Sequence, residues 1–101
     1  MKVYVDIDET ICYYEDERNY NLAKPNAQRI KKVNKLFEEG NIIIYWTARG
    51  SLTGIDWYDV TQKQLERWGV KYTELRMRKP DYDLFICDKA INSNVFFGGN
   101  K

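Results

Sequence analysis

There is no histidine among the 101 residues. That absence removes Ser-His-Asp and Cys-His catalysis, imidazole general bases and the usual zinc sites together. Cysteine is scarce. Cys12 and Cys87 lie far apart with no CxxC spacing, so neither a structural metal nor a disulfide scaffold is expected, as suits a reducing compartment. Neither charge sign prevails: 16 Lys and Arg stand against 15 Asp and Glu, which excludes the broad positive field of a dedicated duplex-DNA binder. No stretch approaches the roughly 18 consecutive apolar residues of a membrane span. The opening MKVYVDIDET carries acids where a signal peptide has its apolar core, so the expectation is a cytoplasmic chain without membrane contact. Chemistry is left to carboxylates, lysine, arginine and hydroxyls.

The length predicts one domain, residues 1–101, with a radius near 13 Å. Val3 to Ile7 (VYVDI) reads as a strand. Residues 9–24 lack helical periodicity and read as a loop or flap. Pro25 suits a first helical turn, Ile30, Val33, Leu36 and Phe37 recur at helical spacing, and Gly40 ends the helix. Ile42 to Trp46 (IIIYW) is a continuous apolar run, as in a strand covered on both faces. A second helix is predicted from the N-cap Asp56 to Gly69, with Trp57, Val60, Leu65 and Trp68 inward. Val70–Thr73 is predicted as a short strand, Leu84–Cys87 (LFIC) as a fully apolar one, and Val95–Phe97 as an edge strand. Strands alternating with helices predict a three-layer α/β domain with a mainly parallel sheet, close to the minimum length for such a fold.

Ligands in such sheets sit outside the carboxyl ends of the strands. The first strand ends in Asp6-Ile7-Asp8-Glu9-Thr10, the second in Trp46-Thr47-Ala48-Arg49, and the last apolar run in Asp88-Lys89, with Lys79 in the loop before it. A single Asp after a strand is commonly a turn or cap residue. Two at i and i+2 point to one side of the strand end and repel one another, and Asp88 adds to the strain unless protons or a cation neutralise it. Oxygen ligands without His or Cys favour Mg²⁺ over zinc.

VDIDET resembles the first motif, DxDx[TV], of the haloacid dehalogenase (HAD) superfamily of aspartate-dependent phosphohydrolases. Thr47 is similar to that family's second motif, Lys79 to its third and Asp88 to its acidic fourth, all in family order across residues 3–89. The resemblance implies a Rossmann-like HAD core, and the short intervals between motifs imply one without a cap domain. It implies Asp6 as the nucleophile forming an aspartyl-phosphate and Asp8 as the acid and base. Mg²⁺ would be held by the Asp6 carboxylate, the Asp8 carbonyl and Asp88. Thr47 and Lys79 would hold phosphate oxygens, and Thr10 would steady the loop. An acid at Asp8 points to phosphate esters, whose leaving alkoxide needs a proton. Where capless relatives often carry adjacent acids in the fourth motif, the first position here is Cys87, which reads as a small buried hydrophobe.

Asp81 and Asp83 are set aside as ligands, because five strand residues put Asp83 roughly 16 Å from Asp88. Arg49 and the flap residues Arg18 and Tyr14 are candidate substrate contacts. The expected substrate is a sugar phosphate or a nucleotide, a nucleic-acid end being disfavoured by the near-neutral charge. Fifteen aromatics leave apolar surface for a homo-oligomer contact. The alternative is a phosphate-binding or regulatory protein without turnover, for which Cys87 and the small size speak. A phosphoacceptor receiver domain fails, since Ile42–Trp46 ends in Thr47 where a receiver needs its Asp.

Overall fold

In the computed structural model, which describes residues 1–98, the chain runs β1 (Lys2–Val5), β2 (Cys12–Tyr13), β3 (Lys24–Pro25), α1 (Ala27–Glu38), β4 (Ile42–Trp46), α2 (Tyr58–Arg67), β5 (Glu74–Arg76) and α3 (Ser93–Phe96). β1, β4 and β5 form a parallel sheet in that spatial order, with Val3 beside Ile43, Val5 beside Tyr45 and Tyr45 beside Leu75. Side chains alternate across a sheet. Val3, Val5, Ile43, Tyr45 and Leu75 therefore share one face, where they meet Ile30 and Val33 of α1 and Leu65 of α2 in the core. The radius of gyration is 13.1 Å, as the chain length predicts.

Both helices lie on that one face. Asn34 of α1 donates to the Gly69 carbonyl at 2.9 Å and accepts from the Lys71 N–H at 2.8 Å, tying the end of α2 to the middle of α1. The opposite face carries Tyr4, Ile44 and Trp46, with the Tyr4 and Trp46 rings edge-to-face at 5.8 Å and Arg76 over Tyr4. The described residues thus form two layers, where the sequence predicts three.

The predicted last strands also differ. Leu84–Cys87 pairs with no strand among the described residues and is exposed, because an apolar run records a demand for burial without naming the partner that meets it. Residues 93–96 turn into α3 instead of an edge strand: Asn92 caps the Asn94 N–H at 2.9 Å, and Phe96 and Phe97 lie over Lys32 and Arg29 of α1. The third strand starts at Glu74, later than predicted, although Thr73 already bonds Ile43 through its N–H and hydroxyl oxygen. Helix α1 begins after Asn26, whose side chain accepts from the Arg29 N–H, so Pro25 is left to pair with Cys12 in the small β2–β3 ribbon at the base of the 9–24 flap. Gly40, at φ +97°, closes α1 as expected.

The Tyr45 hydroxyl is buried with no hydrogen-bond partner among the described residues. An unsatisfied buried hydroxyl costs about 1–3 kcal/mol. Tyr45→Phe should therefore raise the stability read from urea unfolding by about 1 kcal/mol, whereas a loss would show that the hydroxyl is satisfied in solution.

Candidate functional site

The carboxyl end of β1 delivers Asp6 and Asp8 to the same edge as the loop after β4 and the loop after β5. Asp6 stands half-exposed, its side chain 42% accessible, with Oδ1 accepting the Ile7 N–H at 2.8 Å and Oδ2 3.6 Å from Lys79 Nζ. Burial is the main influence on Asp6 and raises its carboxyl above the ordinary 3.8; the Lys79 charge opposes this and the Asp8 charge adds to it. Lys79 is placed by backbone contacts. Its N–H donates to the Thr47 carbonyl at 3.0 Å, and its own carbonyl accepts from the Ser51 hydroxyl at 2.7 Å.

Asp8 lives in a different setting. Arg49, its side chain fully buried, grips the carboxylate bidentately, with Nε 3.1 Å from Oδ2 and Nη2 2.8 Å from Oδ1. The Tyr14 hydroxyl donates to Oδ1 at 2.5 Å. Burial is the largest influence on Asp8 and pushes it up, but the hydrogen bonds and charge of Arg49 and the Tyr14 bond together outweigh it and hold the carboxyl below its usual range. Arg49 is held in turn: Nη1 donates to Thr61 Oγ1 at 3.1 Å and Gln64 Oε1 at 2.6 Å, and its guanidinium lies 4.8 Å from the Tyr20 ring centre. Gln64 closes the ring by donating to the Tyr20 carbonyl at 2.5 Å. The clamp joins the flap, α2 and both strand-end loops.

Asp6 and Asp8 open onto a cavity of about 660 Å³, walled also by Arg18, Tyr20, Arg49 and Trp57. A neighbouring hollow of about 720 Å³ takes Lys79, Ser51 and Trp57 into its walls. Glu9 and Arg78, the non-glycine residues at positive φ among those described, follow Asp8 and precede Lys79, so backbone strain gathers at this edge. Gly50 shapes the loop after β4: its φ is +81°, and a Cβ there would sit 2.1 Å from the Ile55 carbonyl oxygen. Gly50→Ala should cost more than about 2 kcal/mol, from the contact and the left-handed backbone together. Denaturant unfolding checks it, and a change under 0.5 kcal/mol would mean the loop repacks freely.

The predicted site residues take different places. Thr47 is buried, lines neither cavity, and spends its hydroxyl oxygen on the Arg49 N–H at 3.1 Å, so it braces the loop and does not face a ligand. Thr10 contributes backbone groups to its loop, its N–H donating to the Ile7 carbonyl and its carbonyl accepting from Arg29. Arg18 lies on the cavity wall over the Tyr14 ring. Arg49, a candidate substrate contact, is a buried clamp on Asp8 at the cavity wall. Asp8 is held ionised, the opposite of what a neutral-pH general acid requires. Asp88 lies in an exposed segment, because the strand meant to deliver it does not form. Asp81, set aside on the length of that strand, lines the cavity beside Asp6 and Asp8.

The Mg²⁺ site implied by the resemblance does not fit this donor set. The set needs Asp88 beside the Asp6 carboxylate and the Asp8 carbonyl, but Asp88 lies in an exposed segment outside the sheet, and no three acidic or cysteine side chains lie close enough to share a cation among the described residues. Cys12 belongs to the core beneath, where burial pushes its thiol up to about 12. No helix among the described residues is long and apolar enough to cross a membrane.

Sequence reasoning missed Tyr20, Thr61 and Gln64, and it took Trp57 for core. Thr61 and Gln64 carried a readable signal. They sit in the inward stripe of α2 with Leu65, and a polar pair in such a stripe must have a buried partner.

Compared with known proteins, the chain superposes on the crystal structure of an MCSG target from Vibrio cholerae with a TM-score of 0.84 and 23% identity, over 95% of this chain and 86% of the other. That likeness is one of fold. No family model and no curated protein matches the sequence.

Proposed function

We propose that the chain is a HAD-type phosphomonoester hydrolase whose nucleophile is Asp6. The observation that carries this reading is the contrast between the two aspartates. Asp8 is saturated by four protein donors, Arg49 Nε and Nη2, the Tyr14 hydroxyl and the Cys12 thiol, whereas Asp6 faces a cavity with a lysine beside it. In the proposed reaction Asp6 attacks phosphorus, the ester P–O bond breaks and the leaving alkoxide takes a proton from solvent water; a second water then hydrolyses the aspartyl-phosphate, regenerating the Asp6 carboxylate and releasing phosphate. Lys79 supplies positive charge to the phosphoryl oxygens, and the rate comes from positioning and charge. A cavity of about 660 Å³ accommodates a sugar phosphate or a nucleotide. With no cap among the described residues, the 9–24 flap and the 48–55 loop are the segments that would supply its specificity.

The second reading, a phosphate-binding or regulatory protein without turnover, draws on two observations: Asp8 is not free to protonate a leaving group, and Asp88 lies in an exposed segment and forms no carboxylate cluster with Asp6 and Asp8. A panel of phosphate esters, assayed for phosphate release with Mg²⁺ and with EDTA, separates the two. Turnover in either condition supports the hydrolase. Saturable phosphate binding without release from any ester supports the binding protein. Neither turnover nor binding would remove both.

A further inference from the structure

The two neighbouring hollows differ in the chemistry of their walls. The Asp6 cavity of about 660 Å³ carries neutral hydrogen-bonding side chains on Asn19, Asn21 and Thr53. The second hollow, of about 720 Å³, has no amide side chain among its described wall residues. Its one aliphatic hydroxyl, on Ser51, donates to the Lys79 carbonyl. What lines it instead is apolar and aromatic: Leu52, Ile55, Trp57, Tyr58 and Met77. Leu52, Ile55 and Tyr58 are 81%, 56% and 38% exposed, so this surface stands open to water. Exposed apolar side chains gathered around a concavity are the mark of a ligand site.

Trp57 lines both hollows and is held from several sides. Its ring meets the Tyr20 ring edge-to-face at 5.0 Å, and its carbonyl accepts the Thr61 N–H at 3.0 Å. Gly50 lies so close that a Cβ there would stand 3.2 Å from Trp57 Cδ1. An aromatic wall fixed in advance spares the cost of ordering it when a ligand binds. Lys79 is the other link. It belongs to the wall of the second hollow, and its Nζ is 3.6 Å from Asp6 Oδ2. A phosphoryl group between Asp6 and Lys79 therefore stands at the border of the two spaces.

We propose that the substrate is a nucleoside monophosphate whose base lies against Trp57 in the second hollow, with its ribose among the polar side chains of the Asp6 cavity. The position of the phosphate rests on the hydrolase reading above. A hexose phosphate offers hydroxyls alone and would leave the apolar wall in water. An aromatic base covers that wall, and contact between a base and an aromatic side chain tolerates any base. One phosphate suits the charge. Further phosphates would each call for a cation, and Asp56 and Asp81 share the wall with Arg78 and Lys79.

Phosphonates, whose P–C bond replaces the ester linkage, can be titrated calorimetrically into the whole chain without turnover. The nucleoside phosphonate should bind at least about tenfold more tightly than the hexose phosphonate, benzylphosphonate or orthophosphate, the size of one base–aromatic contact. Trp57→Ala and Tyr58→Ala should each erase most of that preference, and Trp57→Phe should keep it. Tyr58 is exposed and lines the second hollow alone, so its variant decides the matter if Trp57→Ala loses its fold by circular dichroism. A hexose phosphonate that binds as tightly as the nucleoside phosphonate overturns the proposal. So does a preference indifferent to Tyr58→Ala, and so does equal binding of benzylphosphonate, since the hollow then takes a bare ring. Phosphate release from the parent esters judges the hydrolase separately. Turnover without a nucleotide preference keeps the hydrolase and ends the base subsite, whereas nucleotide-selective binding without turnover keeps the subsite and ends the hydrolase.

Discussion

Arg49→Met is expected to lower Tm by about 15 °C or more, or to leave no folded protein at 37 °C. Removing one partner of a buried ion pair costs about 3–5 kcal/mol because the other charge stays behind without compensation. Each kcal/mol moves Tm by about 4–8 °C in a domain of about 100 residues. Asp8 would be that stranded charge, and Thr61 and Gln64 would lose the donor that satisfies them. Methionine keeps much of the stem volume, so the loss measures the guanidinium. Asp8→Leu combined with Arg49→Met should recover part of the stability, since replacing a whole buried pair by apolar side chains is close to neutral. If the double variant is no better than Arg49→Met alone, the pair is not the source of the loss.

The pH profile gives the same experiment a sign. In the wild type the Asp8 carboxyl is held below its ordinary 3.8, so its contribution is complete above that value and is lost as pH falls through the lowered one. In Arg49→Met the carboxylate keeps its burial and loses its cation, so its folded-state value rises above 3.8. The variant should then be least handicapped at acid pH and fall further behind the wild type as pH rises toward neutrality. Urea unfolding of both proteins between pH 4 and pH 7 distinguishes this from a packing defect, for which the gap would not depend on pH.

How much of this was legible in the sequence follows from the range of each signal. The strand ends of Asp6, Asp8 and Thr47 and the helix spanning Ile30 to Phe37 rest on local patterns, and they stand where those patterns place them. Arg49 could be placed in a loop but not in the core, because its burial depends on Thr61, Gln64 and Tyr20, residues contributed by two other segments. Leu84–Cys87 shows the limit from the other side. Its composition asks for a buried strand, but pairing is settled by which edge is open to it, a property no local pattern records. The third layer failed for the same reason, since nothing in the periodicity of α1 or α2 says which face of the sheet each helix covers.

Asp6→Asn should abolish turnover, by about 10³-fold or more in kcat, if the carboxylate is the nucleophile, since an amide cannot form the acyl phosphate. Its stability should move the other way. Burial raises Asp6 above 3.8, so the folded chain holds that proton more tightly than the unfolded chain does. Stability therefore declines as pH rises from 3.8 through the raised value, and at neutral pH the wild type carries the full cost. Asparagine keeps an oxygen to accept the Ile7 N–H and has no charge to desolvate, so Tm at pH 7 should equal or exceed the wild type's. Lys79, freed of its 3.6 Å carboxylate neighbour, should bind inorganic phosphate at least as tightly as before. Wild-type kcat/KM should fall toward acid pH through an apparent value above 3.8, because the attacking group must be ionised. Lost activity together with lost stability would make Asp6 a structural residue, and full activity in Asp6→Asn would end the proposed mechanism.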